Sequence, residues 1–244
     1  AYCWGSNSSG QLGNNSTTNS TTPVAVSGNL TFSKLAAGNS TTCGITTGGA
    51  AYCWGNNMLG QVGDNTTTNA LTPVPVYGGG NYTDIGSGQM TTCGIRSGQV
   101  VCWGGSELNQ AGSAALMKKT PSTVSSTNGF TKLAVGWNHS CAINSGTLYC
   151  WGTNFKGQIG KGTSGNGTNQ ATMYAVGSGY KDVVAGDEHT CALTTAGAAK
   201  CWGSGANGAL GSGGTTDRLT PWDVADGHTF TQLVSGGFAV YAKK

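Results

Sequence analysis

The amino-acid sequence predicts an all-β protein, and more specifically a β-propeller built from four-stranded blades. Three observations predict this fold: glycine accounts for 43 of the 244 residues, one motif recurs about every 50 residues, and each copy holds four short strand-like segments. Glycine in a helix interior costs about 0.5–1 kcal/mol relative to alanine, which excludes a mainly helical protein. Four-stranded units of about 40–50 residues are typical of propeller blades, and a solenoid is the weaker alternative.

The repeat is defined by the tripeptide Cys-Trp-Gly, which marks one strand of each copy. It begins at Cys3, Cys53, Cys102, Cys150 and Cys201. The other segments are an apolar strand that ends in Gly, a strand of the type Cys-Gly-Ile or Cys-Ala-Leu, and a Thr-Pro-x-x-Val strand. A turn resembling Gly-Gln-Leu-Gly follows each Cys-Trp-Gly. Gly, Asn, Ser and Thr residues separate the segments, as expected of short strands joined by turns.

The two ends of the chain are complementary in this pattern. Residues Phe230–Gly236 align with Phe32–Gly38, which puts Tyr241 at the position that Cys43 has in its own repeat. The last copy lacks a Cys-Trp-Gly strand, whereas the chain begins with one at Cys3. We therefore expect the N-terminal strand to pair with the C-terminal blade, which closes five blades into a ring as a single domain, residues 1–244. Such closure removes exposed sheet edges.

Two stretches carry the repeat in its fullest form. Gly136–Gly160 and Gly186–Gly211 both contain Gly-x-x-His-Ser/Thr-Cys-Ala, then Cys-Trp-Gly, then the glycine-rich turn. This pattern resembles the repeat of the regulator-of-chromosome-condensation family, and the resemblance covers essentially the whole chain. It implies a β-propeller, which in that family usually has seven blades. Five copies are either a five-bladed ring, which the matching ends favour, or part of a longer chain.

Eight of the nine cysteines form four regularly spaced pairs. The pairs bracket a turn and are Cys43/Cys53, Cys93/Cys102, Cys141/Cys150 and Cys191/Cys201. Facing residues on adjacent antiparallel strands have Cα atoms about 4.5 Å apart, within disulfide range. We predict four disulfides, with small buried side chains as the alternative. Cys3 would face Tyr241 and is predicted to be a buried free thiol. Paired cysteines indicate an oxidising, extracellular or cell-surface location.

Residues that recur in register are interpreted as scaffold. The five tryptophans of the Cys-Trp-Gly motif are expected to pack between neighbouring blades with each indole N–H hydrogen-bonded. A ring of sugar-stacking platforms is the less favoured alternative. His139 and His189 precede Ser/Thr-Cys in two repeats and are expected to be buried hydrogen-bonding residues rather than catalytic bases.

The candidate binding residues break the register in the turn after the apolar strand. They are Asn39, Gln89, Met90, Trp137, Asn138, Asp187, Glu188 and Phe238. We expect these turns to emerge on one face of the propeller, where loops on a rigid scaffold commonly carry binding residues. Trp137 and Phe238 would act as aromatic anchors. Ordinary loop variation is an equally weighted alternative.

Composition and motifs exclude several functional classes. No apolar run approaches the roughly 18 residues that a membrane span needs, so we expect no membrane insertion. The net charge is only +3 and no basic cluster exceeds a lysine pair, so we expect no nucleic-acid partner. Catalytic and phosphate-loop motifs are missing, and the spacing of the cysteines and histidines is poor for zinc. We therefore expect no enzyme activity, no cofactor and no metal; Asp187-Glu188-His189 is the one cluster that an enzyme would use.

These observations favour an extracellular or cell-surface binding module that recognises a protein or a glycan. Such a module is expected to resemble an adhesin, or to be displayed on a larger surface protein or filament. Sequons such as the one at Asn7 are compatible with an extracellular surface. The resemblance implies two alternatives, an intracellular exchange factor or chromatin-binding propeller and a secreted protein inhibitor of an enzyme.

Overall fold

The computed structural model describes residues 1–107, 109–112 and 116–244. These residues form twenty β-strands and one short 3-10 helix, Ala206–Gly208, which confirms the all-β prediction. No helix in this part of the chain is long and apolar enough to cross a membrane. The chain divides into two compact units, Ala1–Glu107 with Ala115–Thr127 and Leu108–Ala114 with Asn128–Lys244. Each unit is described by itself.

The first unit contains one two-stranded and two four-stranded antiparallel sheets. Strands β1 (Tyr2–Gly5) and β2 (Ser20–Ala25) form the small sheet. One four-stranded sheet consists of β3 (Phe32–Ala37), β4 (Thr41–Thr46), β5 (Ala51–Gly55) and β6 (Ala70–Pro75), in that order. The other consists of β7 (Tyr82–Ser87), β8 (Thr91–Arg96), β9 (Gln99–Gly105) and β10 (Met117–Ser125).

The second unit contains the same kinds of sheet. Strands β11 (Phe130–Val135), β12 (His139–Asn144), β13 (Thr147–Gly152) and β14 (Gln170–Ser178) form one four-stranded sheet. Strands β15 (Tyr180–Ala185), β16 (His189–Thr194), β17 (Ala199–Gly203) and β18 (Arg218–Asp223) form the next. Strands β19 (Gln232–Ser235) and β20 (Val240–Lys243) form a two-stranded sheet.

Each four-stranded sheet is one propeller blade with the predicted strand order. The apolar strand comes first, then the Cys-Gly-Ile or Cys-Ala-Leu strand, the Cys-Trp-Gly strand and the Thr-Pro or equivalent strand. The Cys-Trp-Gly tryptophans of the four blades are fully buried, as expected for scaffold residues. In the first unit Trp54 and Trp103 pack with Ile85, and in the second unit Trp202 packs with Ile159.

Buried asparagines close the loop that follows the Cys-Trp-Gly strand. Asn7, Asn57 and Asn154 have no exposed surface. The Asn57 side-chain oxygen accepts the Val62 N–H at 2.9 Å, and its amide nitrogen donates to the Thr68 carbonyl at 3.0 Å. A buried polar side chain with several partners fixes a loop strongly, since each lost partner is costly. The sequon asparagine at position 7 is therefore inaccessible to a glycan in the folded chain.

The four predicted disulfides are confirmed. Cys43–Cys53, Cys93–Cys102, Cys141–Cys150 and Cys191–Cys201 each join the second and third strands of a blade, with Cα atoms 4.0–4.1 Å apart. Each cysteine lies directly opposite its partner in the strand register. Cys3 is free and half-buried, and desolvation raises the pKa of its thiol, which favours the protonated form.

The predicted pairing of the N-terminal strand with the C-terminal blade is wrong, and the described residues form six sheets rather than five blades. Among the described residues β1 pairs only with β2, through Cys3 opposite Val24, and β20 pairs only with β19, through Tyr241 opposite Val234. The predicted fifth blade is thus represented by two separate two-stranded sheets. In the complete blades a tight turn joins the second and third strands and holds their register, whereas no such turn links Tyr241 to Cys3.

Removing one disulfide is expected to destabilise the fold measurably. The double variant Cys141→Ala/Cys150→Ala opens a loop of nine residues in sequence. The chain-entropy model gives a loss of about 2.5–3 kcal/mol in the free energy of unfolding. Urea unfolding followed by circular dichroism measures this loss, and Cys3→Ala serves as the control that removes no bond. A double variant as stable as the parent chain would contradict the prediction.

Candidate binding site

The turns that carry the predicted site residues are held by backbone hydrogen bonds between consecutive sheets. In the first unit the Asn39 N–H donates to the Gly88 carbonyl at 3.1 Å. In the second unit the Trp137 N–H donates to the Gly186 carbonyl at 3.2 Å, and the Asp187 N–H donates to the Gly237 carbonyl at 2.8 Å. Within each unit, these bonds place each turn beside the corresponding turn of the next sheet.

Five of the eight predicted residues line one pocket of about 360 Å³ in the second unit. We call it the aromatic–acidic pocket. Its walls are Trp137, Asn138, Thr153, Phe155, Gln158, Asp187, Glu188 and Phe238. These residues come from the β11–β12, β15–β16 and β19–β20 turns and from the loop after β13. The pocket is therefore assembled from three consecutive sheets of this unit.

Three aromatic side chains of the pocket are exposed. Trp137 is 38% exposed, Phe155 is 37% exposed and Phe238 is 65% exposed, whereas the four tryptophans of the blades are fully buried. Large aromatic residues that remain in contact with water on a rigid surface are typical anchors of a binding site.

Two buried polar atoms of the pocket lack partners. The Asn138 side-chain oxygen and the Thr153 hydroxyl have no hydrogen-bond partner among the described residues. Leaving such a group unpaired costs about 1–3 kcal/mol. A hydrogen-bond donor on a ligand or on an ordered water would remove this cost.

The pocket also carries two carboxylates without cationic partners. The four ion pairs of the described residues use other acids, namely Asp84, Asp182, Asp217 and Asp223. Partial burial raises the pKa of Asp187, since desolvation disfavours its charged form. Glu188 is exposed beside it. The negative charge of the pocket is therefore available to a positively charged ligand.

The other three predicted residues lie in the first unit and do not line this pocket. Asn39 is exposed on the β3–β4 turn, while Gln89 and Met90 are half-buried on the β7–β8 turn. The Met90 carbonyl accepts the Gly105 N–H at 2.8 Å, so its backbone has a structural role.

Sequence reasoning missed Phe155, Thr153 and Gln158. Phe155 follows the buried Asn154, where two other repeats have Ser8 and Met58. This position breaks register as much as Trp137 does, so the same criterion applied to the loop after Cys-Trp-Gly would have found Phe155.

The two repeat histidines are buried away from the pocket. His139 is fully buried, and its Nε2 lies 2.8 Å from the Thr190 hydroxyl oxygen. That hydroxyl donates its single hydrogen to the Gln158 carbonyl at 2.9 Å. His139 must therefore donate from Nε2, which defines a neutral imidazole protonated on that nitrogen. Burial lowers the pKa of His139 to about 3, and burial also lowers the pKa of His189.

No group of three His, Cys, Asp or Glu side chains suitable for a metal ion occurs in the part of the chain that the structure describes. Asp187, Glu188 and His189 adjoin in sequence, but His189 does not line the pocket with the two acids.

Comparison with family models finds one family along most of the chain. Two models described as "Regulator of chromosome condensation (RCC1) repeat" match it, one over residues 1–45 and 48–95, the other over residues 32–61, 130–158 and 180–209. Together they cover repeats in both units. A search of curated proteins found no match.

Solved structures similar to this chain are propellers of the same kind. Human WBSCR16 is 22% identical, with a TM-score of 0.85 over 100% of this chain and 67% of its own. Yeast RCC1 (Prp20), solved with Kap60 bound, is 20% identical, with a TM-score of 0.86 over 99% and 63%. Prp20p from Saccharomyces cerevisiae is 21% identical, with a TM-score of 0.76 over 94% and 59%. The chain thus spans roughly three fifths to two thirds of these proteins.

Acid is expected to destabilise the fold through His139. The pKa of its imidazole is about 3 when folded, against a usual value of 6.5, so the unfolded chain binds more protons between these pH values. The stability contributed by the neutral ring is complete above pH 6.5 and is lost as the pH falls towards 3. Urea unfolding at several pH values measures this slope.

The matched variant is His139→Gln, whose amide can donate to Thr190 but does not titrate. Its stability is expected to fall less steeply with acid than that of the parent chain. His228→Gln, at an exposed position, is the control. Equal slopes in His139→Gln and the parent chain would rule out this source of acid sensitivity.

Proposed function

Because the chain belongs to the regulator of chromosome condensation (RCC1) repeat family, we propose that it is a binding module, and that its aromatic–acidic pocket holds a basic side chain of a partner protein. The observation that carries this proposal is the combination of exposed aromatic faces, free carboxylates and unpaired oxygen atoms in one pocket. Two of the similar solved structures are described together with proteins that they bind. Yeast RCC1 (Prp20) is bound to Kap60, and Prp20p is described with its binding to Gsp1p and histones.

A cation fits the pocket because its polar lining is dominated by acceptors. Asp187, Glu188 and the Asn138 side-chain oxygen accept hydrogen bonds, and the Thr153 hydroxyl can also accept one. A lysine ammonium or an arginine guanidinium carries only donors. Either group also interacts favourably with the faces of aromatic rings such as Trp137 and Phe238. Charge-assisted hydrogen bonds are roughly twice as strong as neutral ones.

A glycan is the alternative ligand, since sugars also pack on aromatic rings and donate hydrogen bonds. The charge of the pocket distinguishes the two. Neutral sugars gain little from two adjacent carboxylates, whereas binding of a cationic side chain depends on them and weakens with salt. The pocket volume of about 360 Å³ suits one long side chain.

We further propose that the protein works outside the cell or on its surface. Support comes from the four disulfides, because such bonds persist in oxidising compartments and are rare in the cytosol. The intracellular exchange-factor or chromatin-binding alternative requires reduced thiols. In the secreted-inhibitor alternative, the same pocket would bind a side chain on the surface of an enzyme. Since the chain spans 59–67% of its structural neighbours, the proposed module is also compatible with a larger surface protein.

Binding to arrayed peptides and glycans tests the pocket. We expect the chain to bind peptides that contain lysine or arginine, and binding to decrease with salt. Trp137→Ala and the double variant Asp187→Asn/Glu188→Gln are each expected to weaken binding about tenfold or more, as loss of a central anchor or charge pair does. Titration of the best array peptide by calorimetry gives the dissociation constants.

Two variants control for surface aromatics and surface charge. Trp222→Ala removes an exposed tryptophan outside the pocket, and Asp226→Asn removes an exposed carboxylate that takes part in none of the described ion pairs. Neither is expected to change the dissociation constant. Binding to glycans alone, or equal losses in pocket and control variants, would contradict the proposed ligand.

The redox state of the cysteines tests the proposed extracellular location separately from the binding proposal. Rapid alkylation of the protein in its native source, followed by mass spectrometry, is expected to label one cysteine, Cys3, and leave the other eight in intramolecular bonds. Labelling of all nine cysteines before reduction would contradict an oxidising location while leaving the binding proposal standing.

A further inference from the structure

Backbone hydrogen bonds hold one aromatic ring and both acids of the aromatic–acidic pocket in a fixed arrangement. The Trp137 N–H donates to the Gly186 carbonyl at 3.2 Å, and Asp187 is the next residue along the chain. The Glu188 carbonyl accepts the Ser204 N–H at 2.9 Å. A ligand that contacts the ring and the acids therefore meets a preformed site, which lowers the entropic cost of binding.

The second aromatic ring, that of Phe155, projects from an equally fixed loop. Its neighbour Asn154 is fully buried, and the Asn154 side chain accepts the Ile159 N–H at 3.0 Å and donates to the Thr163 carbonyl at 2.8 Å. The Phe155 carbonyl accepts the Gly165 N–H at 3.2 Å. The position of the ring is thus set by the loop and does not depend on a ligand.

The faces of both rings are available to a ligand. In the part of the chain that the structure describes, neither Trp137 nor Phe155 is in contact with another aromatic ring. Both side chains are more than one third exposed. The two rings can therefore pack against a flat or cationic group that enters the pocket.

The pocket also withdraws charged groups from water. Asp187 is half-buried, and this loss of solvent raises the pKa of its carboxyl group. A cation that reaches Asp187 loses part of its own hydration as well. A lysine ammonium is a compact, strongly hydrated charge, whereas an arginine guanidinium is more weakly hydrated. The cost of desolvation therefore favours arginine.

Hydrogen-bond geometry favours the same side chain. The adjacent carboxylates of Asp187 and Glu188 offer four acceptor oxygens, and a guanidinium directs five N–H donors outwards in one plane. Because these donors lie at the edge of the plane, its two faces stay free to stack on aromatic rings. An ammonium has no flat face, so it cannot stack on a ring in this way while it donates to the carboxylates.

We propose that the aromatic–acidic pocket selects arginine, whose guanidinium packs against Trp137 and Phe155 and donates hydrogen bonds to Asp187 and Glu188. This inference rests on the proposed function, because it specifies which basic side chain of a partner protein the pocket holds. The four residues belong to two complete blades, β11–β14 and β15–β18. A methylated lysine could pack on the rings, but full methylation leaves it no donor for the carboxylates.

Four peptides that differ in one residue test the selectivity. Each has the sequence acetyl-Gly-Ser-X-Ser-Gly-amide, where X is arginine, lysine, trimethyllysine or citrulline, the neutral isostere of arginine. Titrations of the whole chain, followed by the NMR backbone amide signals of isotope-labelled protein, give the four dissociation constants. The same titrations are made with the variants, and circular dichroism confirms that each variant is folded.

The arginine peptide is expected to bind about tenfold more tightly than the lysine and trimethyllysine peptides, and the citrulline peptide is expected not to saturate. Trp137→Ala is expected to reduce the preference for arginine over lysine to about threefold or less, because the stacking face is lost. Phe155→Ala replaces this variant if it does not fold. The double variant Asp187→Asn/Glu188→Gln is expected to weaken both cationic peptides.

Met58→Ala is the matched control. Met58 is an exposed side chain that follows the buried Asn57, as Phe155 follows Asn154, but it lies in the first unit. This variant is expected to leave all four dissociation constants unchanged. An equal loss in Met58→Ala and the pocket variants would overturn the assignment to these rings.

The outcomes separate this inference from the proposed function. Equal binding of the arginine and lysine peptides would overturn arginine selectivity and leave a pocket for basic side chains standing. Tightest binding of the trimethyllysine peptide would also overturn it, in favour of a site for methylated ammonium groups. A preference for arginine that persists in Trp137→Ala would overturn the stacking. Binding of none of the peptides, or equal binding of citrulline and arginine, would contradict both proposals.

Discussion

One backbone oxygen organises each junction between sheets. The carbonyl of the Gln in the glycine-rich turn accepts the indole N–H of the next repeat, and in Gln11, Gln61 and Gln158 it also accepts a threonine hydroxyl from the second strand of that repeat. Gln61, for example, accepts from Trp103 at 2.9 Å and from Thr92 at 2.9 Å. Both donors are fully buried, so this oxygen removes two desolvation costs at once. The turn, the tryptophan and the threonine must therefore be retained together.

This constraint explains why the candidate binding site lies where the repeat varies. The recurring residues are fixed by the junction, because changing one leaves a buried group of the next repeat unpaired. The side chains of the turns beside the junctions are free of this constraint. In the second unit, three of these turns line one pocket. Two adjacent residues illustrate the difference. His139 is hydrogen-bonded to the Thr190 hydroxyl at the junction, whereas Asn138 lines the pocket.

The sequence predicts correctly those structural features that recur in every repeat. The order of strands, the buried tryptophans and the four disulfides follow from local spacing, since a tight turn places the paired cysteines opposite each other. Five residues of the pocket could also be predicted, because they break register next to fixed positions. Phe155 did not stand out because it lies between Asn154 and Gly157-Gln158, which belong to the recurring pattern. The predicted pairing of Cys3 with Tyr241 is wrong because no local turn connects their two strands. Spacing in the sequence therefore could not define their register.

The short span of the disulfides has a consequence for how the chain matures. Eight cysteines can be joined in 105 ways, and a chain that had to search them would accumulate scrambled isomers. Here every correct partner is nine or ten residues away on the neighbouring strand. Each pair of thiols is brought together by its own hairpin and does not depend on the other blades. Correct pairing is therefore a local event in each repeat.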